Sequence, residues 1–181
     1  MLRFKYAFNK NNPIMNSSQM LDDIKVEVDE VDEVVEDTAN EYKSEAIFNG
    51  ASPNFIKSLE DKLCSFGGEL LCYDLDDYDE LIFEHGQLWY GEILYHEQMQ
   101  IGNCHGNTIQ INDETPEHPI VVGYALSEYG FWFVHTWSLV EEPKENRTYV
   151  LETTIPSVLY FGVVLTKSQS IDFKNKYRRK E

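Results

Sequence analysis

The sequence predicts an α+β domain in which an N-terminal helical part is followed by an antiparallel β-meander. Apolar residues recur at helical spacing after residue 52, and from residue 118 onward apolar runs alternate with short polar turns. A chain of 181 residues with 42% hydrophobic content can bury one substantial core. These observations indicate a single domain of two consecutive halves.

The helical half begins at a clear start signal. Ser52 is a good N-cap and Pro53 suits the first helical position, and the chain reaches a stop at Gly67-Gly68. The predicted helix covers about 53–65, with one apolar face formed by Phe55, Ile56, Leu59 and Leu63. We then expect a strand or short buried run at 70–75, a weak helix at 77–84 and an apolar aromatic stretch of undetermined type at 87–95.

The β-rich half shows four runs in sequence. The first two, 119–126 and 131–139, are joined by a four-residue turn that ends in Gly130. A polar turn at 141–146 leads to the runs 149–154 and 157–166. We therefore predict four consecutive antiparallel strands.

Charge separates the two ends of the chain from the domain. The net charge is -17, and residues 22–45 hold eleven acidic and two basic side chains. We predict a disordered acidic segment at 1–45, the domain at 46–170 and a basic tail at 171–181 that pairs with the acidic segment. The acidic segment is either a docking arm for a basic protein partner or a solubilising extension. The charge argues against binding nucleic acid.

The apolar runs, the N-terminal layout and the cysteine spacing predict a soluble, cytoplasmic protein. No apolar run approaches the length of a membrane span, and the N-terminus lacks the layout of a signal peptide. The cysteines Cys64, Cys72 and Cys104 form no CxxC pair, so we expect reduced thiols.

Cys104, His135 and Glu152 are the candidate catalytic residues. Cys104 lies in a Gly/Asn-flanked loop that suits a turn entering a helix, His135 lies in an apolar strand and Glu152 in the next strand. A thiolate nucleophile needs an imidazole base, and a carboxylate can hold that imidazole in the useful tautomer. A hairpin turn at 141–147 would place Glu152 within about one residue of the position opposite His135. The sequence leaves the strand register open.

Three further residues are candidates for the surroundings of the thiol. The backbone N–H of Cys104 could stabilise an oxyanion, and the side-chain amide of Gln98 or Gln100 could supply a second donor. Trp137 follows the candidate base by two residues and is a core residue or a pocket wall that shields the site from water.

The run 95–166 resembles the papain-like superfamily of cysteine hydrolases and acyltransferases, closest to its transglutaminase-like branch. The matching elements are Cys104, His135-Thr-Trp137 and Glu152-Thr-Thr154, and Gln98 precedes the cysteine by six residues, as in papain-type proteases. The chain departs from that pattern by having Glu as the acid and His105 after the cysteine. The resemblance implies attack on an amide, isopeptide or thioester bond of a protein, peptide or small amide substrate, without a cofactor.

Other interpretations of the same residues remain open. Cys104 could be a buried small side chain, His135 a hydrogen-bonded core residue and Glu152 a strand cap. Zinc could be bound by His96, Cys104 and His105, with His85 or His118 as a fourth ligand, although no recognised zinc spacing is present; we therefore predict no metal site. The alternative function is a noncatalytic interaction or inhibitor protein that binds through residues 22–45.

Overall fold

The computed structural model describes residues 36–37, 39–74, 76–91 and 94–178. Its helices are α1 (39–48), α2 (Pro53–Cys64), α3 (Asp79–His85), α4 (Cys104–Glu114) and α5 (Lys167–Tyr177). Its strands are β1 (Leu70–Cys72), β2 (Gln87–Tyr90), β3 (Leu94–His96), β4 (Ile120–Leu126), β5 (Phe131–Glu142), β6 (Arg147–Glu152) and β7 (Leu159–Val164). The fold is therefore α+β.

Helix α2 begins as its sequence predicts. The Ser52 side chain accepts a hydrogen bond from the N–H of Phe55 at 3.4 Å, and Pro53 occupies the first helical position. Ile56, Leu59 and Leu63 are buried on one face of the helix. The stretch at 87–95, whose type the sequence left open, contains strands β2 and β3.

The strands form one mixed sheet in the order β2-β7-β4-β5-β6-β3, with β1 also paired to β5. The four predicted β-rich runs are present and their pairings are antiparallel, but β7 lies beside β4 and not beside β6. The second edge of β6 is occupied by β3, which runs parallel to it. The last strand therefore returns to the far side of β4, so the four strands do not form a simple meander.

The long strand β5 has two different partners along one edge. Strand β1 pairs with residues 131–133, and β6 pairs with residues 138–142. Helix α4 lies against the interval between them, where the Thr108 hydroxyl donates to the carbonyl oxygen of Thr136 at 3.3 Å. The N-terminal part of α4 therefore lies beside the middle of β5.

The sheet has a hydrophobic cluster on each face. Helices α2, α3 and α5 contribute to the larger cluster, which includes the fully buried Trp132, Tyr124 and Phe173. On the other face, Trp137 and Tyr160 pack with aliphatic residues from four strands. Side chains alternate along β5, so His135 shares its face with Trp137.

Helical structure in the described residues begins before the predicted domain boundary at 45/46. Helix α1 crosses that boundary, with Ala39 and Ala46 buried. Lys43 forms a largely buried ion pair with Glu60 of α2, and Glu60 also accepts from the N–H of Leu71. Of the predicted acidic segment, residues 1–35 and 38 lie outside the described residues.

Deleting residues 1–45 is therefore expected to destabilise the domain. The truncation removes Ala39 and the partner of Glu60, and we expect the free energy of unfolding to fall by about 1–2 kcal/mol. Chemical denaturation of this variant and of a chain lacking only residues 1–35 measures the contribution of residues 36–45, which include most of α1. Equal stability of the two truncations would contradict the packing of α1 on α2.

The predicted basic tail is mostly helix α5. Thr166 and Gln169 form a reciprocal capping box at its start, and Phe173 is fully buried. Lys174 and Arg178 pair with Asp113 of α4, and Lys176 pairs with Asp77. In the described residues these three basic side chains thus contact carboxylates of the domain, while most of the acidic segment with which the tail is predicted to pair, and residues 179–181, lie outside the described part. No helix in the described ranges is long and apolar enough to cross a membrane.

Candidate active site

The segment that leads to Cys104 is anchored along strand β6. The N–H groups of Glu97 and Met99 donate to the carbonyl oxygens of Glu152 and Thr153, both at 2.9 Å. The ring of His96 lies 2.9 Å, through Nε2, from the carbonyl oxygen of Thr154. The end of β6 therefore fixes the approach of the loop that carries the cysteine.

A tight turn then places Cys104 at the first residue of α4. Gly102 has φ +74°, a left-handed conformation that favours glycine. The Asn107 side chain donates to the carbonyl oxygen of Gln100 at 2.8 Å and so ties the turn to the helix. The side chain of Asn103, the N-cap residue, makes no capping bond. The first N–H groups of α4 lack intrahelical partners and can donate hydrogen bonds to an oxygen that develops negative charge.

His135 and Glu152 form a buried ion pair. Nε2 of His135 lies 2.9 Å from Oε2 of Glu152, and their side chains are 3% and 0% exposed. Ser138 pairs with Leu151, and continuing this register places Glu152 opposite Trp137, on the face of the sheet that carries His135. The two side chains thus meet diagonally across neighbouring strands. Nε2 is engaged, which leaves Nδ1 as the ring nitrogen available to a thiol.

The Glu152 carboxylate is held on both oxygens. Its Oε1 accepts from the N–H of Thr153 at 2.8 Å, the N–H of Thr154 at 2.7 Å and the Thr154 hydroxyl at 2.9 Å. Its Oε2 also accepts from the Tyr160 hydroxyl at 2.9 Å. Burial acts to raise the pKa of Glu152, but the charge of His135 and these hydrogen bonds hold that pKa below its usual value. The Glu152 side chain is therefore an ionised acceptor in a fixed orientation.

The ion pair with Glu152 also sets the protonation state of the His135 imidazole. Burial acts to lower the pKa of His135, but the charge of Glu152 and hydrogen bonding outweigh it and raise that pKa to about 10. Trp137 stacks on the His135 ring with centroids 6.1 Å apart and an interplanar angle of 17°. His135 is thus held as a protonated ring over the neutral pH range.

Cys104 is the one cysteine whose thiol is acidified. Burial acts to raise its pKa, but His105 and His135 lower it to about 6. Nδ1 of His105 lies 3.1 Å from Sγ, and His135 lowers the pKa of the thiol by hydrogen bonding and by its charge. Burial raises the pKa of both Cys64 and Cys72, and all three cysteines are free.

The sequence predicts no catalytic role for His105, but its imidazole contacts the thiol in the structure. Its ring stacks on Phe173 at 5.4 Å and meets Tyr177 edge-on at 4.2 Å, so α5 holds it in place. Nδ1 also lies 3.4 Å from the Thr136 hydroxyl. A second imidazole directly after a candidate nucleophile was the sequence signal, but the packing of α5 on α4 could not be read from it.

The other three predicted residues do not line the pocket beside Cys104. Gln98 and Gln100 are exposed, and the amide of Gln98 donates to the neighbouring Met99 carbonyl at 3.2 Å. Neither glutamine lines the pocket beside Cys104. Trp137 is fully buried behind His135 and does not line that pocket either. The backbone N–H groups at the start of α4 are therefore better placed than either glutamine side chain to stabilise an oxyanion formed at Cys104.

A pocket of about 480 Å³ opens directly onto Cys104 and His135. Its walls come from the loop before α4, the β4–β5 turn, the start of β5 and the segment 154–157. Among the described residues, no group of three or more His, Cys, Asp or Glu side chains is arranged to hold a metal ion.

Comparisons of the chain with protein-family models, with curated protein sequences and with solved structures find no match.

Proposed function

We propose that this chain is a cysteine-dependent hydrolase or acyltransferase that acts on an amide, isopeptide or thioester bond through Cys104, His135 and Glu152. The observation that supports this most is the acidified Cys104 thiol in the lining of a pocket that it shares with an imidazole paired with a buried carboxylate. Such a thiolate and imidazolium pair supplies both a nucleophile and a proton donor.

The reaction would proceed in two halves. The Cys104 thiolate attacks the carbonyl carbon, the bond to the leaving group breaks, and the His135 imidazolium gives its proton to the leaving amine or thiol. Water or a second nucleophile then attacks the thioester, gives its proton to His135 and releases Cys104. Glu152 keeps the proton on Nε2 of His135 throughout, since its Oε2 faces that atom.

We further propose a relationship to the papain-like superfamily, nearest its transglutaminase-like branch. A cysteine at a helix start, packed against strands that carry a histidine and an acid in that chain order, supports it. A cytoplasmic location and a protein, peptide or small amide substrate belong to the same proposal. The acidic segment 22–45, the basis of the alternative function, lies mostly outside the described residues.

Alkylation as a function of pH tests the nucleophile. With iodoacetamide, we expect the labelling rate of Cys104 to rise through about pH 6, whereas Cys64 and Cys72 should react only in more alkaline solution because burial raises their pKa values. Amide hydrolysis additionally needs the protonated imidazole. Its rate should therefore rise through about pH 6 and fall through about pH 10.

Two variants separate the imidazoles that contact the thiol. His135→Ala should raise the apparent pKa of Cys104 by removing a hydrogen bond and a cationic neighbour, and His105→Phe should also raise it, because the hydrogen bond to Nδ1 of His105 is lost while the ring packing on α5 is retained. Labelling of all three cysteines near the free-thiol reference of about 8.5, in wild type and both variants, would contradict the proposal.

A further inference from the structure

Exposed apolar side chains gather at the mouth of the pocket beside Cys104. Ile101, Tyr129 and Ile155 are 64%, 71% and 60% exposed, and all three line the pocket. They come from three separate loops, before α4, between β4 and β5, and after β6. Apolar side chains grouped around the entrance to a concave site are typical of surfaces that bind an apolar ligand.

The wall inside this mouth is aromatic as far as the imidazole. Phe131 and Phe133 project from the same face of β5 as His135, with ring centroids 6.0 Å apart. The Phe133 ring meets the His135 ring at 5.6 Å. A group attached to a carbonyl held at Cys104 would therefore contact aromatic carbon along its length.

The charge of the pocket wall favours a neutral or cationic group. Apart from the Cys104 thiol, the charged side chains in the lining are His135 and Glu128 of the β4–β5 turn. The whole chain carries a net charge of -17, which adds to the repulsion of anions. A carboxylate on the substrate would lose hydration against apolar walls, and the cationic group of the lining, His135, is already paired with Glu152 and the Cys104 thiolate.

From these features we infer that the acyl group transferred to Cys104 is bulky, apolar and free of negative charge. The inference rests on the proposed function and specifies its substrate class. With an ester probe, the Cys104 thiolate attacks the acyl carbon, the carbon–oxygen bond breaks and the phenolate leaves. Water then cleaves the thioester, releasing the carboxylic acid and restoring the thiol.

Activated esters with one shared leaving group test the acyl preference. We expect kcat/KM for p-nitrophenyl phenylacetate to exceed that for p-nitrophenyl acetate by about tenfold or more, and p-nitrophenyl succinate to be the poorest of the three. Rates are taken after subtraction of those of Cys104→Ser. N-acetyl-phenylalanyl p-nitrophenyl ester is the fourth probe, and its rate relative to phenylacetate distinguishes a peptidyl acyl group from a small one.

Matched variants locate the preference in the pocket. Ile155→Ala and Tyr129→Ala should reduce the phenylacetyl preference about threefold to tenfold. Ile171→Ala and Tyr90→Ala, which replace residues of similar exposure (59% and 65%) outside the pocket, should leave it unchanged. Glu128→Gln should raise the succinyl rate, and Glu141→Gln, at the far end of β5, should not.

The two levels of the proposal fail in different ways. Equal kcat/KM for the phenylacetyl, acetyl and succinyl esters, with a Cys104-dependent acyl-enzyme, overturns the substrate class and leaves the proposed function standing. Absence of any Cys104-dependent acylation overturns both. A preference that the control variants reduce as much as the pocket variants also overturns the assignment to this pocket.

Discussion

Cys104→Ser should abolish turnover of acyl substrates while the fold is retained. The hydroxyl of serine stays protonated in a site that lowers the pKa of the Cys104 thiol to about 6, so the variant lacks the charged nucleophile. We expect a loss of at least about 10³-fold in kcat/KM. Mass spectrometry of the intact protein during turnover should show the acyl adduct on wild type and none on the variant.

Cys64→Ser and Cys72→Ser are the matched controls for this exchange. Both cysteines are partly buried with raised pKa values, so their replacement should change stability and leave acylation intact. Thermal unfolding of the three variants separates the two effects. An acyl adduct that persists in Cys104→Ser, or that disappears in Cys64→Ser, would assign the chemistry to another residue.

Glu152→Gln should disable the site by changing which ring nitrogen of His135 carries the proton. The three donors of Thr153 and Thr154 keep the amide oxygen in the position of Oε1, so the NH₂ group faces Nε2 of His135. Two donors cannot face each other, and the imidazole is therefore driven to carry its proton on Nδ1, toward Cys104. By analogy with the serine-protease triad, we expect kcat/KM to fall by about 10³–10⁴-fold.

The pH dependence of the same variant has a definite sign. The pKa of His135, about 10, lies above its value of 6.5 in an unfolded chain, so its contribution to stability is full below about pH 6.5 and is lost as pH rises through 10. Glu152→Gln should remove this contribution, and the stability difference between wild type and variant should therefore shrink in alkaline solution. Denaturation of both proteins at a series of pH values measures this stability difference. In a separate measurement, the alkylation pKa of Cys104 should be higher in the variant.

Asp79→Asn is the matched control for removing a buried carboxylate. Asp79 is 4% exposed and accepts from the hydroxyls of Tyr73 and Tyr124, both at 2.7 Å, outside the pocket that contains Cys104. We expect this variant to lose stability and to keep the wild-type alkylation profile. An equal shift of the Cys104 pKa in both variants would mean that Glu152 acts only through the stability of the fold.

Local patterns in the sequence were sufficient where the physical cause is local. The capped start of α2 depends on Ser52 and Pro53 alone, and the four β-rich runs depend on composition and turns within each run. Helix α5 was missed because its polar residues resemble a solvated tail and its single buried contact, Phe173, is made with distant parts of the chain.

For the site, the sequence by itself determined the kinds of residue and their order: a cysteine at a helix start, a histidine on one strand and an acid at the end of the next. Only the tertiary structure decided their distances, because the β5–β6 register and the packing of α4 arise from contacts between segments far apart in the chain. The same long-range packing decided that His105 contacts the thiol and that Gln98 and Gln100 do not line its pocket. A one-residue slip of β6 would turn Glu152 to the other face of the sheet, a choice made by the pairing of whole strands.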